Sequence, residues 1–412
     1  MNWGGFSLRR TRFDALWLAL LSLVLVFCLV FLSVSYCKEE RSQTAFSQGV
    51  KTLTPLLGEE SLSAMATSAG YAALLDGEGN LLWGKHPHVS AGMASTTKIM
   101  TALLAAEHIE AVGEDTETLV SASAAGIEGS SIYLKAGERV RLVDLLYATL
   151  LASANDAAAC LAEAVAGDQA SFVDMMNERA KDMGLSATHF MNPHGLFDKE
   201  HYTTAYELGV IASSALQNSL FARVVKTKHY TFAGEGITRS LSNHNRMLSS
   251  YEGALGVKTG FTKATGRCLV SAAERDGVTL IAVTLSAPND WQDHKEMLDY
   301  GFSLLEKRLL LAEGELSFSL PVVAGRLDSV TVVNEKELAV VLPKGYGEFT
   351  YRIELPAFVY APIEAGDVLG YAVFCDNGKI AYKCELVAAF SVEAIEYEKT
   401  LSEWILSFFG LR

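Results

Sequence analysis

The apolar positions of the chain change rhythm several times, and each rhythm predicts an element. Residues 15–37, "ALWLALLSLVLVFCLVFLSVSYC", are an almost uninterrupted apolar run. It exceeds the roughly 20 residues that a helix needs to cross a bilayer. Arg9, Arg10 and Arg12 precede it, a charge placement that keeps an N-terminus cytoplasmic. Residues 1–37 are therefore predicted to be a signal peptide or a retained membrane anchor, with Ser33 and Ser35 as the small residues of a cleavage site. Everything after Lys38 is then exported. Residues 38–66 mix Ser, Glu and Thr with isolated apolar positions and read as a linker.

From residue 67 shorter periods take over. "GYAALLDGEGNLLWGKH" holds two apolar runs around Asp76-Gly77-Glu78-Gly79-Asn80, a hairpin signal. In "MASTTKIMTALLAAEH", Ile99, Met100, Leu103 and Leu104 recur at helical spacing. "RLVDLLYATLLASANDAAACLAEAVAG" predicts two helices interrupted near Ser153, the second ending before Gly167 as a C-cap. Ser171 and Asp174 form a capping-box pattern at the head of "SFVDMMNERAKDMG", which Gly184 closes. Pro193-His194-Gly195 mark a loop, and "TAYELGVIASSAL" is a further amphipathic helix. "GVKTGFTKATGRCLVSAAERDGVTLIAVTLSA" reads as a strand, a glycine-containing turn and two β runs about Asp276-Gly277. "DHKEMLDYGFSLLEK" returns to helix. Between about 312 and 391, short Val-rich runs alternate with Gly, Pro and Asn turns, which predicts a small all-β domain. Residues 392–412 close with Leu401, Trp404, Ile405 and Phe408 on one helical face, a pattern suited to a membrane interface.

Composition narrows the picture. The chain has 412 residues, enough for more than one folded unit. Its net charge of -14 argues against a nucleic-acid binder, which normally shows a basic face. Six cysteines include no C-x-x-C pair, so no zinc site is expected. Cys160 and Cys268 sit among apolar neighbours and read as small core residues. Cys375 and Cys384 flank a hairpin turn at Asn377-Gly378. With a two-residue loop there, Cys375 faces Ile380, so a disulfide to Cys384 needs another register.

The chemistry starts at Ser95 and Lys98. Three apart on a helix, they are neighbours. A serine hydroxyl needs an adjacent base to attack at neutral pH, and burial lowers a lysine's pKa enough to supply one. S-x-x-K alone is weak, since Ser35-Tyr36-Cys37-Lys38 matches it too. Two further motifs change its weight. Ser153-Ala154-Asn155 interrupts an apolar helical region, and Lys258-Thr259-Gly260 closes a strand. S-x-x-K, S-x-N and K-T-G in this order are the signature of penicillin-binding proteins and class A β-lactamases.

From about Ser68 to Val392 the chain resembles the serine-type D-alanyl-D-alanine carboxypeptidases, the low-molecular-mass penicillin-binding proteins of the peptidase S11 family. "ASTTKIMTALL", "SANDAAACLAE", "HFMNPHGL" and "GVKTGFTKATGRCLVSAAER" carry the resemblance. It implies an α/β (α+β) transpeptidase-like domain over 67–308, with an antiparallel sheet and a helical subdomain. A β-rich domain over 312–391 and a membrane-associating helix over 392–412 follow. It further implies that Ser95 attacks the bond between the last two D-alanines of a peptidoglycan stem peptide, with Lys98 taking the serine proton. Ser153 relays a proton to the leaving group, Asn155 holds the substrate backbone, and Lys258 and Thr259 bind its carboxylate. The backbone N–H groups of Ser95 and Phe261, beside Gly260, hold the oxyanion. No metal or organic cofactor is implied, and β-lactams are expected as inhibitors.

Other residues and readings were weighed beside these. His194, His244 and Arg246 read as structural. Many relatives carry a carboxylate-binding arginine after the strand that follows K-T-G. Here that segment is "SAPNDWQDHKEM", which leaves Lys258 and Thr259, or His294 or Lys295, for the task. A class A-like β-lactamase is the weaker alternative, because no E-x-x-L-N string follows Ser153. A D,D-endopeptidase uses the same chemistry, and a non-catalytic wall-binding protein would be expected to lack the serine or the lysine.

Overall fold

The computed structural model describes residues 65–234 and 237–395. The N-terminal apolar run and nearly all of the linker lie outside the described residues. The described chain forms two compact units, one of residues up to 316 together with 335–347, the other of 317–334 and 348–395.

The larger unit is built on a five-stranded antiparallel sheet. Its strands are β1 (Tyr71–Asp76), β2 (Leu81–Lys85), β3 (Ala254–Thr262), β4 (Gly266–Arg275) and β5 (Val278–Leu285), in the order β2-β1-β5-β4-β3. Both tight hairpins follow from their turn residues. The Asp76 carboxylate accepts from the backbone N–H groups of Glu78 and Asn80 and from the Asn80 side chain, closing β1 onto β2. Asp276 and Gly277 take φ of 50° and 73°, the two left-handed residues of a two-residue β4–β5 turn.

Helices cover both faces of this sheet. One face packs against a cluster centred on α1 (Lys98–Val112), with α2 (Leu142–Leu151), α3 (Asn155–Ala166) and α4 (Ala205–Gln217) around it. The first nine residues of α1 are all buried, which is why its sequence shows apolar residues on every side and not a single stripe. The other face packs on α5 (Asp290–Leu304), whose Met297 and Leu298 meet Leu74, Leu280 and Ala282. This mixed helix-and-antiparallel-sheet architecture is the fold class expected from the resemblance. Lys98 heads α1 in the core, and β3 forms the open edge of the sheet.

Three boundaries differ from the sequence reading. The helix at Gln169–Asp182 is capped by Asp168, whose carboxylate accepts the Ser171 N–H, so it starts before the predicted Ser171 cap. Two residues compete to cap here, and the upstream one prevails because Ser171 supplies the donor it needs. The last helix of the unit ends at Leu304. Leu305–Leu311 instead forms a strand paired with Leu338–Pro343, with the burial alternation of an extended chain. Finally, Val392 and Ala394 make β-bridges to Ile363 and Gly325, so the terminal helix does not start at 392. The rest of that segment, 396–412, lies outside the described residues.

The smaller unit is all β. Its strands β6 (Ser317–Val323), β7 (Ser329–Val333), β8 (Thr350–Glu354), β9 (Val359–Tyr360), β10 (Val368–Asp376) and β11 (Lys379–Ala388) lie in the order β8-β10-β11-β7-β6-β9. Asn377 and Gly378, at φ of 48° and 77°, make the β10–β11 turn. Cys375 opposes Ile380 and Cys384 opposes Ala372, and neither takes part in a disulfide. Among the described residues no single helix is long and apolar enough to cross a bilayer.

Candidate active site

Ser95 is presented by a sharp turn. Ala94 takes φ of 48°, and the chain then winds through a 3₁₀ turn, Ala94–Thr97, into α1. Threonine hydroxyls lock that turn. Thr96 Oγ1 donates to the Met93 carbonyl at 2.5 Å, and Thr97 Oγ1 donates to the Ala94 carbonyl at 2.7 Å. The Thr97 hydroxyl then accepts from His201 Nε2 at 2.6 Å, while His201 Nδ1 accepts the Met191 N–H. Both ring nitrogens are thus used with one proton, and burial pushes the imidazole pKa down to about 4.

Lys98 is fully buried at the start of α1. Its Nζ lies 3.2 Å from Ser95 Oγ, 2.7 Å from Asn155 Oδ1 and within hydrogen-bond reach of the His194 carbonyl. Burial, followed by the positive charge of Lys258, holds its pKa well below the ordinary lysine value, with Asp156 pulling the other way. A neutral lysine has two N–H donors and one lone pair. Of its three partners only the Ser95 hydroxyl can donate. In the neutral form the two carbonyl-type oxygens would take the N–H groups and leave the lone pair for the Ser95 hydroxyl.

Ser153 and Lys258 form the opposite wall. Ser153 sits between α2 and α3 at φ of 59°, in the left-handed region. Lys258 donates to Ser153 Oγ at 2.9 Å and to the Thr259 carbonyl at 2.8 Å. Burial alone pushes its pKa down to about 7. Gly260 brings β3 against the serine turn: a Cβ there would stand 3.0 Å from Ser95 N and 3.1 Å from Thr96 N. Ser95, Ser153, Thr259, Gly260 and Phe261 open onto one cavity of about 340 Å³. Among the described residues no cluster of three or more His, Cys, Asp or Glu side chains could hold a metal.

A serine beside a desolvated lysine, faced by a second serine–lysine pair, is a constellation for acyl transfer. The family model for D-alanyl-D-alanine carboxypeptidases, peptidase S11, matches residues 59–289. The chain belongs to the peptidase S11 family of D-alanyl-D-alanine carboxypeptidases.

A second family model, the C-terminal domain of penicillin-binding protein 5, matches residues 305–394. The D-alanyl-D-alanine carboxypeptidase of Streptomyces sp. K15 is 38% identical over 258 residues, 58% of this chain and 88% of that protein. The D-alanyl-D-alanine carboxypeptidase DacF of Bacillus subtilis is 28% identical over 356 residues, 83% of this chain and 91% of that protein. Among solved structures, penicillin-binding protein 5 of Haemophilus influenzae superposes with a TM-score of 0.62 at 26% identity, covering 81% of this chain and 99% of that one.

The remaining residues weighed in the sequence take the following places in the structure. Asn155 does not line the cavity. Its amide is engaged at both ends, by Lys98 and by the Glu128 carbonyl at 2.6 Å, so its geometry is that of a clamp on the lysine. His194 contributes its backbone carbonyl to Lys98, while burial pushes its imidazole pKa down to about 3. His244 and Arg246, read as structural, line the cavity, as do Ser130, Arg267 and Trp291. His294 is buried against Thr284 with its pKa pushed down to about 3, and neither it nor Lys295 lines the cavity. Ser130, Arg267 and Trp291 stand outside the three motifs. Only the cross-strand register of Phe261 with Arg267 could have found the arginine, and that register follows from the turn at 262–266.

Proposed function

We propose that this chain removes the terminal D-alanine from peptidoglycan stem peptides through an acyl-enzyme on Ser95. The supporting observation is the buried Lys98, whose Nζ lies 3.2 Å from Ser95 Oγ, the one of its three partners that is able to donate a proton. In this reading Lys98 takes the Ser95 proton as Oγ attacks the carbonyl carbon of the penultimate D-alanine. The oxyanion is held by the backbone N–H groups of Ser95 and Phe261, on the two segments that Gly260 allows to approach. The C–N bond then breaks, and Ser153, fed by Lys258, passes a proton to the departing D-alanine amine. Water hydrolyses the Ser95 ester and regenerates the hydroxyl. β-Lactams acylate the same serine. Asn155 acts as the positioning residue for Lys98, and Thr259, with the buried Lys258 behind it, receives the carboxylate side of the substrate.

The reaction belongs on the extracytoplasmic face of the membrane, with the apolar run at 15–37 and the tail at 392–412 as candidate attachments. Purified wild-type protein is expected to release D-alanine from a diacyl-D-Ala-D-Ala peptide, and Ser95→Ala to release none. Activity retained in Ser95→Ala would refute the nucleophile. Liposome flotation of chains lacking 1–37, with and without 392–412, tests the tail. Equal flotation would remove it as an attachment.

A further inference from the structure

The geometry points to Arg267 as the residue that grips the free C-terminal carboxylate of the substrate, a task for which the segment after β5 holds no arginine. This inference rests on the carboxypeptidase reading above. Arg267 directly opposes Phe261 across the β3–β4 ladder. Directly opposed residues of an antiparallel pair share a face, and so do residues two apart on one strand. Thr259, Phe261 and Arg267 therefore stand on the same face, with Arg267 diagonal to Thr259. Such neighbours are within reach of a long side chain. Arg267 lines the cavity that Ser95 and Thr259 open onto.

The guanidinium is aimed and not merely present. Arg267 Nη2 pairs with Asp290 Oδ2 at 3.0 Å, and Asp290 is itself almost wholly buried. The other Asp290 oxygen accepts the Trp291 N–H at 2.9 Å, which fixes the carboxylate at the head of α5. The Trp291 ring centre lies 6.0 Å from the guanidinium carbon. One edge of the Arg267 fork is thus held by the protein, while 42% of the side chain remains open. A guanidinium offers five N–H donors in a plane that matches a carboxylate. The Asp290 contact orients the fork and leaves donors for a ligand. Arg246 also lines this cavity, but only Arg267 stands on the Thr259–Phe261 face of the ladder; His294 and Lys295 do not line the cavity.

The test compares ligands that differ only in that carboxylate. The full-length protein is acylated with penicillin G and with its methyl ester, and the rate constants for Ser95 labelling are measured. The carboxylate preference of the wild type is expected to fall roughly 10–100-fold in Arg267→Gln. Ester acylation should change less than about threefold. Arg267→Met, which keeps the stem packing, gives a second variant should the first fail to fold. KM for a diacyl-D-Ala-D-Ala peptide rises in parallel. An unchanged preference for the acid in either variant overturns the inference, as does an equal loss for acid and ester, the signature of a purely structural ion pair with Asp290. Failure of wild-type protein to label at Ser95 at all would instead refute the carboxypeptidase reading.

Discussion

Gly195→Ala is the substitution that most sharply probes how the site is held together. Gly195 follows His194, whose carbonyl accepts from Lys98, and it takes φ of 85°. A Cβ at this position would stand 2.1 Å from the Ala94 carbonyl oxygen and 2.9 Å from Ser95 N. Both are backbone atoms, so no side chain can swing aside. Restoring an ordinary contact of 3.4 Å requires the two segments to part by about 1.3 Å. That displacement moves the His194 carbonyl off Lys98, the Ser95 turn off its lysine, or both. A misplacement of about 1 Å in a reacting group costs on the order of 100-fold in rate. The left-handed φ adds about 1 kcal/mol of backbone strain, which lowers the melting temperature by roughly 2–4 °C in a domain of this size. The assay is stopped-flow labelling with a fluorescent penicillin beside a thermal melt. The expected result is an acylation rate down at least about 100-fold in protein that stays folded at 25 °C. Acylation within threefold of wild type would refute the idea that the close approach of this loop sets the Ser95–Lys98 geometry.

Other expectations follow from the same contacts. Arg239 and Glu138 form a buried ion pair, and Arg239 also caps the carbonyls of Ile132 and Tyr133 beneath the loop that carries Ser130. Arg239→Met should cost about 3–5 kcal/mol in chemical denaturation, because Glu138 is left charged and unpaired; a loss under 1 kcal/mol would contradict that. Burial pushes the Glu138 carboxyl up, but the Arg239 hydrogen bonds outweigh it and hold it below its usual value. Its contribution to stability is present above the ordinary carboxylate range and is lost as pH falls through the lowered folded value. The acylation rate should fall above about pH 7 as Lys258 loses its proton. In Lys258→Arg the alkaline limb should move out of range, and a limb that stays near pH 7 would assign it to another group. Both lysines bind fewer protons folded than unfolded, so stability should rise with pH between about 7 and 10. Peptide mapping without reduction should recover Cys375 and Cys384 as free thiols, and a linked peptide would contradict the Cys375–Ile380 register.

Much of the catalytic arrangement was legible because it lies in contiguous residues with local consequences. Ser95-x-x-Lys98 needs only one turn of helix to bring its members together, and Lys258-Thr259-Gly260 needs only one strand. The break at Ser153 was visible as an interruption of helical period. What escaped depends on packing between distant segments. His201 supports the Ser95 turn across more than 100 residues of chain, and Asn155 is diverted to Lys98 by the carbonyl of Glu128. Arg267 reaches the site only through a ladder register that a one-residue slip would send to the other face. The helix end at Leu304 escaped for another reason. "LEKRLLL" has enough leucine to continue a helix, and its pairing with Leu338–Pro343 decides the outcome.

The central claim is that Ser95, activated by the buried Lys98, is the acylated residue. Mass spectrometry of penicillin-labelled full-length protein tests it most directly. One adduct is predicted, on the peptide that contains Ser95, absent in Ser95→Ala and formed far more slowly in Lys98→Met. An adduct on any other residue, or labelling that survives in Ser95→Ala, would contradict the account.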